Sequence, residues 1–261
     1  MKYSIIIPAY NEGQRLALSL EKILAHASLQ GRAAEILVVN DGSRDETAEL
    51  VRSFANTHPE VQLLENPGNR GKGYSVRHGM LKAQGEVLLF TDADLSSPIA
   101  EAGKLFQAIE SGADVAMGSR WLNSALQTER QPLLRQLYGR LFNLLLRIVL
   151  GLDYRDTQCG FKAFNRAAAQ AIFPLQRIER WGFDPEILFI ADKRGLRVTE
   201  VAVAWAHDHG SKINPIRDGM RMLLEVLTIR WNSIRGRYKT TKLMPADSAA
   251  AITEEKRTSI A

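Results

Sequence analysis

The stretch LLFTDADLSSP, residues 88–98, runs an apolar segment straight into two aspartates separated by one alanine, then into a Ser-Ser-Pro break. Aspartate is among the poorest strand formers, and two like charges this close repel unless something positive lies between them. The segment therefore reads as a buried strand whose carboxyl end opens on a polar rim. YSIIIPAY (3–10), AEILVVND (34–41), VQLLEN (61–66) and ADVAMGSR (113–120) repeat the pattern. Short apolar runs ending in polar turns are what parallel strands buried on both faces look like.

Helical signals fill the gaps. Leu16, Leu20, Ile23 and Leu24 recur at helical spacing. Ser43, with Glu46 three residues on, has the form of a capping box that starts a second helix. Further helices are expected over about 71–83 and 98–110. Strand–helix alternation of this kind predicts an α/β fold with right-handed crossovers. After Arg120 the pattern changes to an arginine-bearing helix over about 132–150, the segment DTQCGFKAFN (156–165), and a helix near 184–193. A strand pair near 198–205 and a long amphipathic helix near 215–234 follow. The segment from 240 has little apolar periodicity and is expected to be disordered. The chain thus divides into one domain, 1–239, and a tail, 240–261.

Of the 261 residues, 45% are hydrophobic and 24% charged, ordinary for a globular protein. The single cysteine, Cys159, excludes an intramolecular disulfide and a cysteine-based zinc site. No run approaches the ~20 apolar residues of a membrane span; the nearest, 141–152, is interrupted by Asn143 and Arg147. The N-terminal MKYSIIIPAYNE is too short in its apolar part for a secretory signal. Net charge is +5, and residues 212–239 alone carry seven basic against two acidic side chains. Residues 130–147 add four arginines and no acid. That distribution suits phosphates or an anionic membrane. No nucleic-acid module is visible, so nucleic acid is not an expected partner.

In open α/β sheets, ligands bind beyond the carboxyl ends of the strands. Those ends carry Asn11 and Glu12, Asn40 and Asp41, Asp92 and Asp94, and Arg120. Two hard carboxylates one residue apart suit Mg²⁺ or Mn²⁺ bound together with substrate phosphates. The plainer reading of Asp92 and Asp94 is as turn formers ahead of the helix at Pro98. NPGNRGKGYSVRHG (66–79) is Gly-rich and basic at an expected helix N-terminus, which favours anions. It matches neither the dinucleotide fingerprint nor the P-loop.

SIIIPAYNE, VVNDGSRDET, NRGKG, FTDADLS, MGSR, RDTQCGFKAFNR, WGFDPEILFIA and GSKINP occur in that order. Together they resemble family 2 glycosyltransferases of the GT-A fold, a Rossmann-like, mostly parallel sheet flanked by helices. The resemblance is to dolichyl-phosphate β-glucosyltransferases first and to the mannosyl enzymes next, and it covers about residues 3–239. It divides the domain into a donor-binding half, about 1–120, and an acceptor- and membrane-facing half, about 121–239, with the amphipathic helices in the second. Eukaryotic members carry an N-terminal membrane anchor, whereas this sequence opens at its first strand.

The resemblance also implies roles. Pro8, Ala9, Tyr10, Glu12 and Asp41 would line the uridine pocket, with Lys72 and Ala93 near the donor. Asp92 and Asp94 would bracket the metal and diphosphate. Arg120, Arg130, Arg135 and Lys212 would meet the acceptor phosphate, and Gln158 and Asp184 would lie by the reacting sugar. Catalysis would then rest on Asp94, Arg120, Gln158 and Asp184. Trp181 and Phe183 read equally as sugar-stacking groups or as core.

The implied reaction is inverting transfer of a hexose, glucose from UDP-glucose above others, to a polyprenyl phosphate. An alcohol acceptor needs a general base. A phosphate monoester, with a second pKa near ~6, arrives ionised and needs cationic positioning instead. The arginines after Arg120 favour the phosphate. The alternatives are a GDP-mannose-dependent transferase and transfer to a sugar hydroxyl with Asp184 as base. The expected location is cytoplasmic, peripheral on the cytoplasmic face of a membrane.

Overall fold

The computed structural model describes residues 2–29, 34–126, 133–206 and 215–239. The first half alternates as its periodicity requires: β1 (Tyr3–Ala9), α1 (Leu16–Leu29), β2 (Ala34–Asn40), α2 (Thr47–Thr57), β3 (Val61–Glu65), α3 (Lys72–Lys82), β4 (Val87–Thr91). A 3₁₀ turn (Ile99–Glu101) leads into α4 (Ala102–Glu110) and β5 (Val115–Ser119). The second half holds α5 (Leu133–Leu150), β6 (Phe161–Asn165), α6 (Arg166–Ile172), α7 (Phe183–Lys193), β7 (Val198–Ala202) and α8 (Pro215–Ile234).

Seven strands form one sheet in the order β3-β2-β1-β4-β6-β5-β7. β1 pairs in parallel with β2 and β4, β2 with β3, and β5 with β7. β6 is the exception: it runs antiparallel between β4 and β5, with Leu89 opposite Ala163 and Ala116 opposite Ala163 on the other side. Strand side chains alternate between faces, so each strand feeds two cores. Ile6, Leu37, Val39, Leu88 and Phe90 pack with Phe164, Phe183 and Ile187 on one face. Ile5, Ile7, Ile36, Val38 and Leu89 pack with Leu16, Leu20, Val51 and Leu105 on the other. α3 lies close against the sheet because Gly79 faces it. A Cβ there would stand 2.4 Å from Ile6 Cγ2 and 3.1 Å from Val39 Cγ2.

Several details differ from expectation, among them α6, which lies where no helix is expected. α2 starts at Thr47, one turn after Ser43, and no capping box forms. Asp45 Oδ1 instead accepts the Thr47 N–H at 3.1 Å, while the Ser43 hydroxyl accepts the Asn11 N–H at 3.0 Å. Local side-chain bonds to backbone have displaced the helix start. The strand pair over 198–205 is one strand, β7, after which the Trp205 N–H bonds to the Leu126 carbonyl at 3.2 Å. β6 lies within DTQCGFKAFN, where no strand was expected. The tail from 240 lies outside the described residues.

Candidate active site

The parallel strands point their carboxyl ends at one rim, and because β6 is antiparallel the loop that enters it, residues 156–160, arrives at the same rim. Asp92 and Asp94 occupy a tight turn at the end of β4, closed by the Leu95 N–H to the Asp92 carbonyl at 3.1 Å. Leu95 is held at φ 50°, a left-handed conformation that costs a non-glycine residue about 1–3 kcal/mol. The surroundings over-determine it. The Ser19 hydroxyl donates to the Ala93 carbonyl at 2.6 Å, and Asp94 Oδ1 accepts the Ser96 N–H at 2.9 Å. Ala93 is buried, so the two carboxylates flank an anchored residue.

Asp92 is approached from both sides. Lys72, the first residue of α3, puts its ammonium 2.5 Å from Asp92 Oδ1. From the other side Gly160 comes so close that a Cβ there would fall 2.2 Å from Asp92 Oδ2. That contact explains the glycine in DTQCGFK. Burial disfavours the Lys72 charge, but Asp92, Asp184 and Asp94 outweigh it and hold the ammonium above the ordinary lysine range. Asp94 is held above the ordinary carboxylate range, by burial first and by Asp92 second, against the Ser96 hydrogen bonds and Arg15. The pair is short of positive charge at Asp94. Among the described residues no cluster of three His, Cys, Asp or Glu side chains could hold a metal. Two carboxylates on an anchored turn fit a Mg²⁺ or Mn²⁺ ion that takes its remaining oxygens from substrate phosphates and water.

Asp41 is buried and bonds to the Gly-rich loop. Its carboxylate accepts the Arg70 N–H at 2.9 Å, the Gly71 N–H at 2.8 Å and Asn66 Nδ2 at 2.8 Å. Two amides of the expected anion site are thus taken by the chain's own carboxylate, which fixes the start of α3 and the base of Lys72. Tyr10 is exposed, Ala9 buried and Pro8 half-buried at the end of β1. Glu12 is ion-paired with Arg15, Nη2 to Oε1 at 2.9 Å. Asn11, at φ 53°, accepts the Arg44 N–H at 2.8 Å and so ties the β1 loop to the β2 loop.

Two buried ion pairs complete the floor. Lys162, in the middle of the sheet and without exposure, donates to Asp184 in the first turn of α7 and to the Cys159 carbonyl at 2.7 Å. Burial holds the Asp184 carboxyl above its ordinary range, against the pull of Lys162 and Lys72. Arg120, at the end of β5, grips Asp156 through Nε and Nη2, both at 2.7 Å, and its own backbone N–H donates to the same carboxylate at 2.9 Å. Burial opposes the Asp156 charge, but Arg120 outweighs it and lowers the carboxyl. The guanidinium lies 5.4 Å from the centre of the Trp205 ring. A bidentate pair of this kind fixes the guanidinium plane.

Asp41, Lys72, Asp92, Asp94, Arg120, Gln158 and Asp184 therefore lie on or directly under one rim. Gln158 Nε2 and Ser119 Oγ are buried there without a protein partner. Arg130 and Lys212 lie outside the described residues, as does the side chain of Arg135. Phe183 is core, fully buried with its ring 5.8 Å from that of Phe90, whereas Trp181 is half-buried with the Lys72 ammonium 5.5 Å above its ring. Sequence reasoning missed Lys162 and Asp156. A lone lysine between phenylalanines in FKAF is the signal that could have found the first, since lysine is almost never fully buried unless paired.

Residues 4–173 match the family described as "Glycosyl transferase family 2". A dolichyl-phosphate beta-glucosyltransferase of Trichomonas vaginalis is 40% identical over 239 residues, 87% of this chain and 70% of that protein. The dolichyl-phosphate beta-glucosyltransferase of Saccharomyces cerevisiae is 34% identical over 259 residues, 92% of this chain and 77% of that one. Among solved structures, glucosyl-3-phosphoglycerate synthase from Mycobacterium tuberculosis in complex with uridine diphosphate superposes with a TM-score of 0.66 at 18% identity. The match covers 88% of this chain and 80% of that one. The same enzyme with Mn²⁺, uridine diphosphate and glucosyl-3-phosphoglycerate superposes equally well, at 0.66 and 18% identity, over 87% of this chain and 79% of that one. At that identity the likeness is one of fold: the mixed, mostly parallel sheet flanked by helices is the GT-A arrangement.

Proposed function

This chain belongs to glycosyl transferase family 2, and we propose that it transfers glucose from UDP-glucose to the phosphate of a polyprenyl phosphate at a membrane surface. The observation that carries this reading is the placement of the anchored Asp92–Asp94 turn and the Arg120–Asp156 pair on one rim. One is suited to a diphosphate leaving group and the other to an anionic acceptor. The relatives named above point to the same sugar and acceptor class.

In this reading Tyr10, Glu12 and Asp41 bound the nucleoside pocket, with Pro8 and Ala9 as its backbone wall. Asp92 and Asp94 would hold Mg²⁺ or Mn²⁺, which when bound supplies positive charge for the departing diphosphate. Arg120, its plane set by Asp156, orients the acceptor phosphate, with Arg130, Arg135 and Lys212 as further cations. The acceptor is ionised above ~6, so no side chain has to remove its proton. Asp184, held by Lys162, and Gln158 face the hexose. The test is a donor screen with purified protein, Mn²⁺ and one polyprenyl phosphate. UDP-glucose is expected to be used well ahead of GDP-mannose and UDP-N-acetylglucosamine; preference for GDP-mannose overturns the assignment of the sugar.

The acceptor's apolar tail stays in the bilayer, each buried CH₂ being worth ~0.8 kcal/mol, so the enzyme has to work at its surface. No described helix is long and apolar enough to cross a membrane. α5 packs on α8, and the pair exposes Leu144, Ile148, Leu224, Leu227, Trp231 and Ile234. Arg147, Arg221, Arg230, Arg235 and Arg237 are exposed on the same two helices and just beyond. Arg235 lies 4.5 Å from the centre of the Trp231 ring. Apolar side chains interleaved with arginines and a tryptophan suit the headgroup region. Binding to anionic vesicles that weakens with salt is expected in flotation assays. At about 1 kcal/mol per basic residue, neutralising Arg230, Arg235 and Arg237 together weakens it by roughly 10²-fold. Wild-type protein that stays unbound at low salt defeats the membrane part of the reading.

A further inference from the structure

Lys72 is bonded to a carboxylate that the proposed metal would need. Its ammonium stands 2.5 Å from Asp92 Oδ1, on a side chain only 17% exposed. Its backbone is fixed, because Asp41 holds the two residues before it. The ammonium also sits at the first turn of α3, where the helix dipole disfavours a cation and favours an anion. A divalent ion arriving alone would meet an ammonium already on Asp92, and two cations on one carboxylate repel. Among the described residues no third acidic or imidazole ligand offsets that cost. A diphosphate changes the balance, since it brings oxygens for the metal and negative charge for the lysine.

From this geometry we propose that Lys72 is the resident counter-ion of the Asp92–Asp94 turn in the donor-free enzyme, yielding Asp92 to the divalent cation only as a nucleoside diphosphate takes over the ammonium. The inference rests on the metal reading given above. Metal and nucleotide then bind cooperatively, each tightening the other by the same factor. The enzyme holds its cation together with the donor and releases it together with the product diphosphate.

The test is Mn²⁺ binding to the full chain, read from the free-ion signal in electron paramagnetic resonance, with and without UDP. Wild type is expected to bind Mn²⁺ weakly alone and about tenfold or more tighter with UDP, within the ~5–150-fold span of ordinary coupling. Lys72→Met keeps a long apolar stem and removes the charge. It is expected to bind Mn²⁺ alone about tenfold tighter than wild type, with most of the UDP effect gone. Lys72→Arg keeps the charge and is expected to stay weak without nucleotide. A Lys72→Met variant that binds Mn²⁺ alone no tighter than wild type, and keeps the full UDP effect, overturns the exchange while leaving the metal site standing. Wild type that takes no Mn²⁺ even with UDP fails differently: it removes the metal site, and the exchange with it.

Discussion

Asp94→Asn is expected to lower glucosyl transfer by roughly 10²–10³-fold, the scale of losing one preorganised electrostatic contact at a charge-developing centre, while the fold survives. Asparagine keeps the size and leaves an amide oxygen for the Ser96 N–H, which helps to position this side chain in the turn. What goes is a charge that burial and Asp92 already make costly to carry. The variant therefore has no stability reason to be worse than wild type, and a thermal melt is expected to show it equal or slightly more stable. Asp92→Asn is expected to lose activity to a similar degree for a second reason as well, because it also releases Lys72. In both variants the loss falls on the chemical step, so single-turnover rates at saturating UDP-glucose should show it. Wild type is expected to lose activity in excess EDTA and recover it with Mn²⁺. Full activity of both variants in excess EDTA would defeat the metal assignment and return Asp92 and Asp94 to the role of turn formers.

The first half was legible because its physics is local. β1, β2, β4 and β5 are buried on both faces, so each carries a run of at least three apolar residues, and each ends at or just before a polar residue because the strand end meets solvent or ligand. The second half was not, and β6 shows why. FKAFN is five residues long with a lysine at its second position. Read locally, that lysine argues against burial, and its charge partner Asp184, twenty-two positions away, makes it tolerable. Asp156 was hidden in the same way, since its guanidinium partner lies thirty-six residues earlier. The failure at Ser43 was a competition between close alternatives. The capping box was present in sequence, but Ser43 instead accepts from Asn11, thirty-two residues away, and Asp45 takes the Thr47 amide. Pairs that act across the sheet are set by topology, and the antiparallel β6 that brings them together shows locally only as that lysine between phenylalanines.

Asp184→Asn separates a structural role from a chemical one. Asp184 and Lys162 are both buried, with side-chain exposures of 4% and 0%. Removing one partner of such a pair leaves a buried charge uncompensated and costs about 3–5 kcal/mol, whereas replacing both with uncharged groups is often neutral. The single variant is therefore expected to lose stability on that scale, and Asp184→Asn with Lys162→Met to recover most of it in urea unfolding. Activity is expected to behave differently. If the carboxylate faces the hexose and offsets the positive charge that grows at the anomeric carbon, both variants stay down by roughly 10²-fold or more. A double variant restored in stability and in rate would make the pair purely structural. The pH profile then separates the acceptor classes. With a phosphate acceptor the rate rises with pH through ~6 as the dianion forms and then levels. A carboxylate base also gives a rise with pH, and burial holds the Asp184 carboxyl above its ordinary range, so a rising limb decides nothing alone. What decides is its response to the substitution. A limb that stays in place in the residual activity of the double variant belongs to the acceptor phosphate. A limb that vanishes with Asp184 makes it the base and brings back transfer to a hydroxyl.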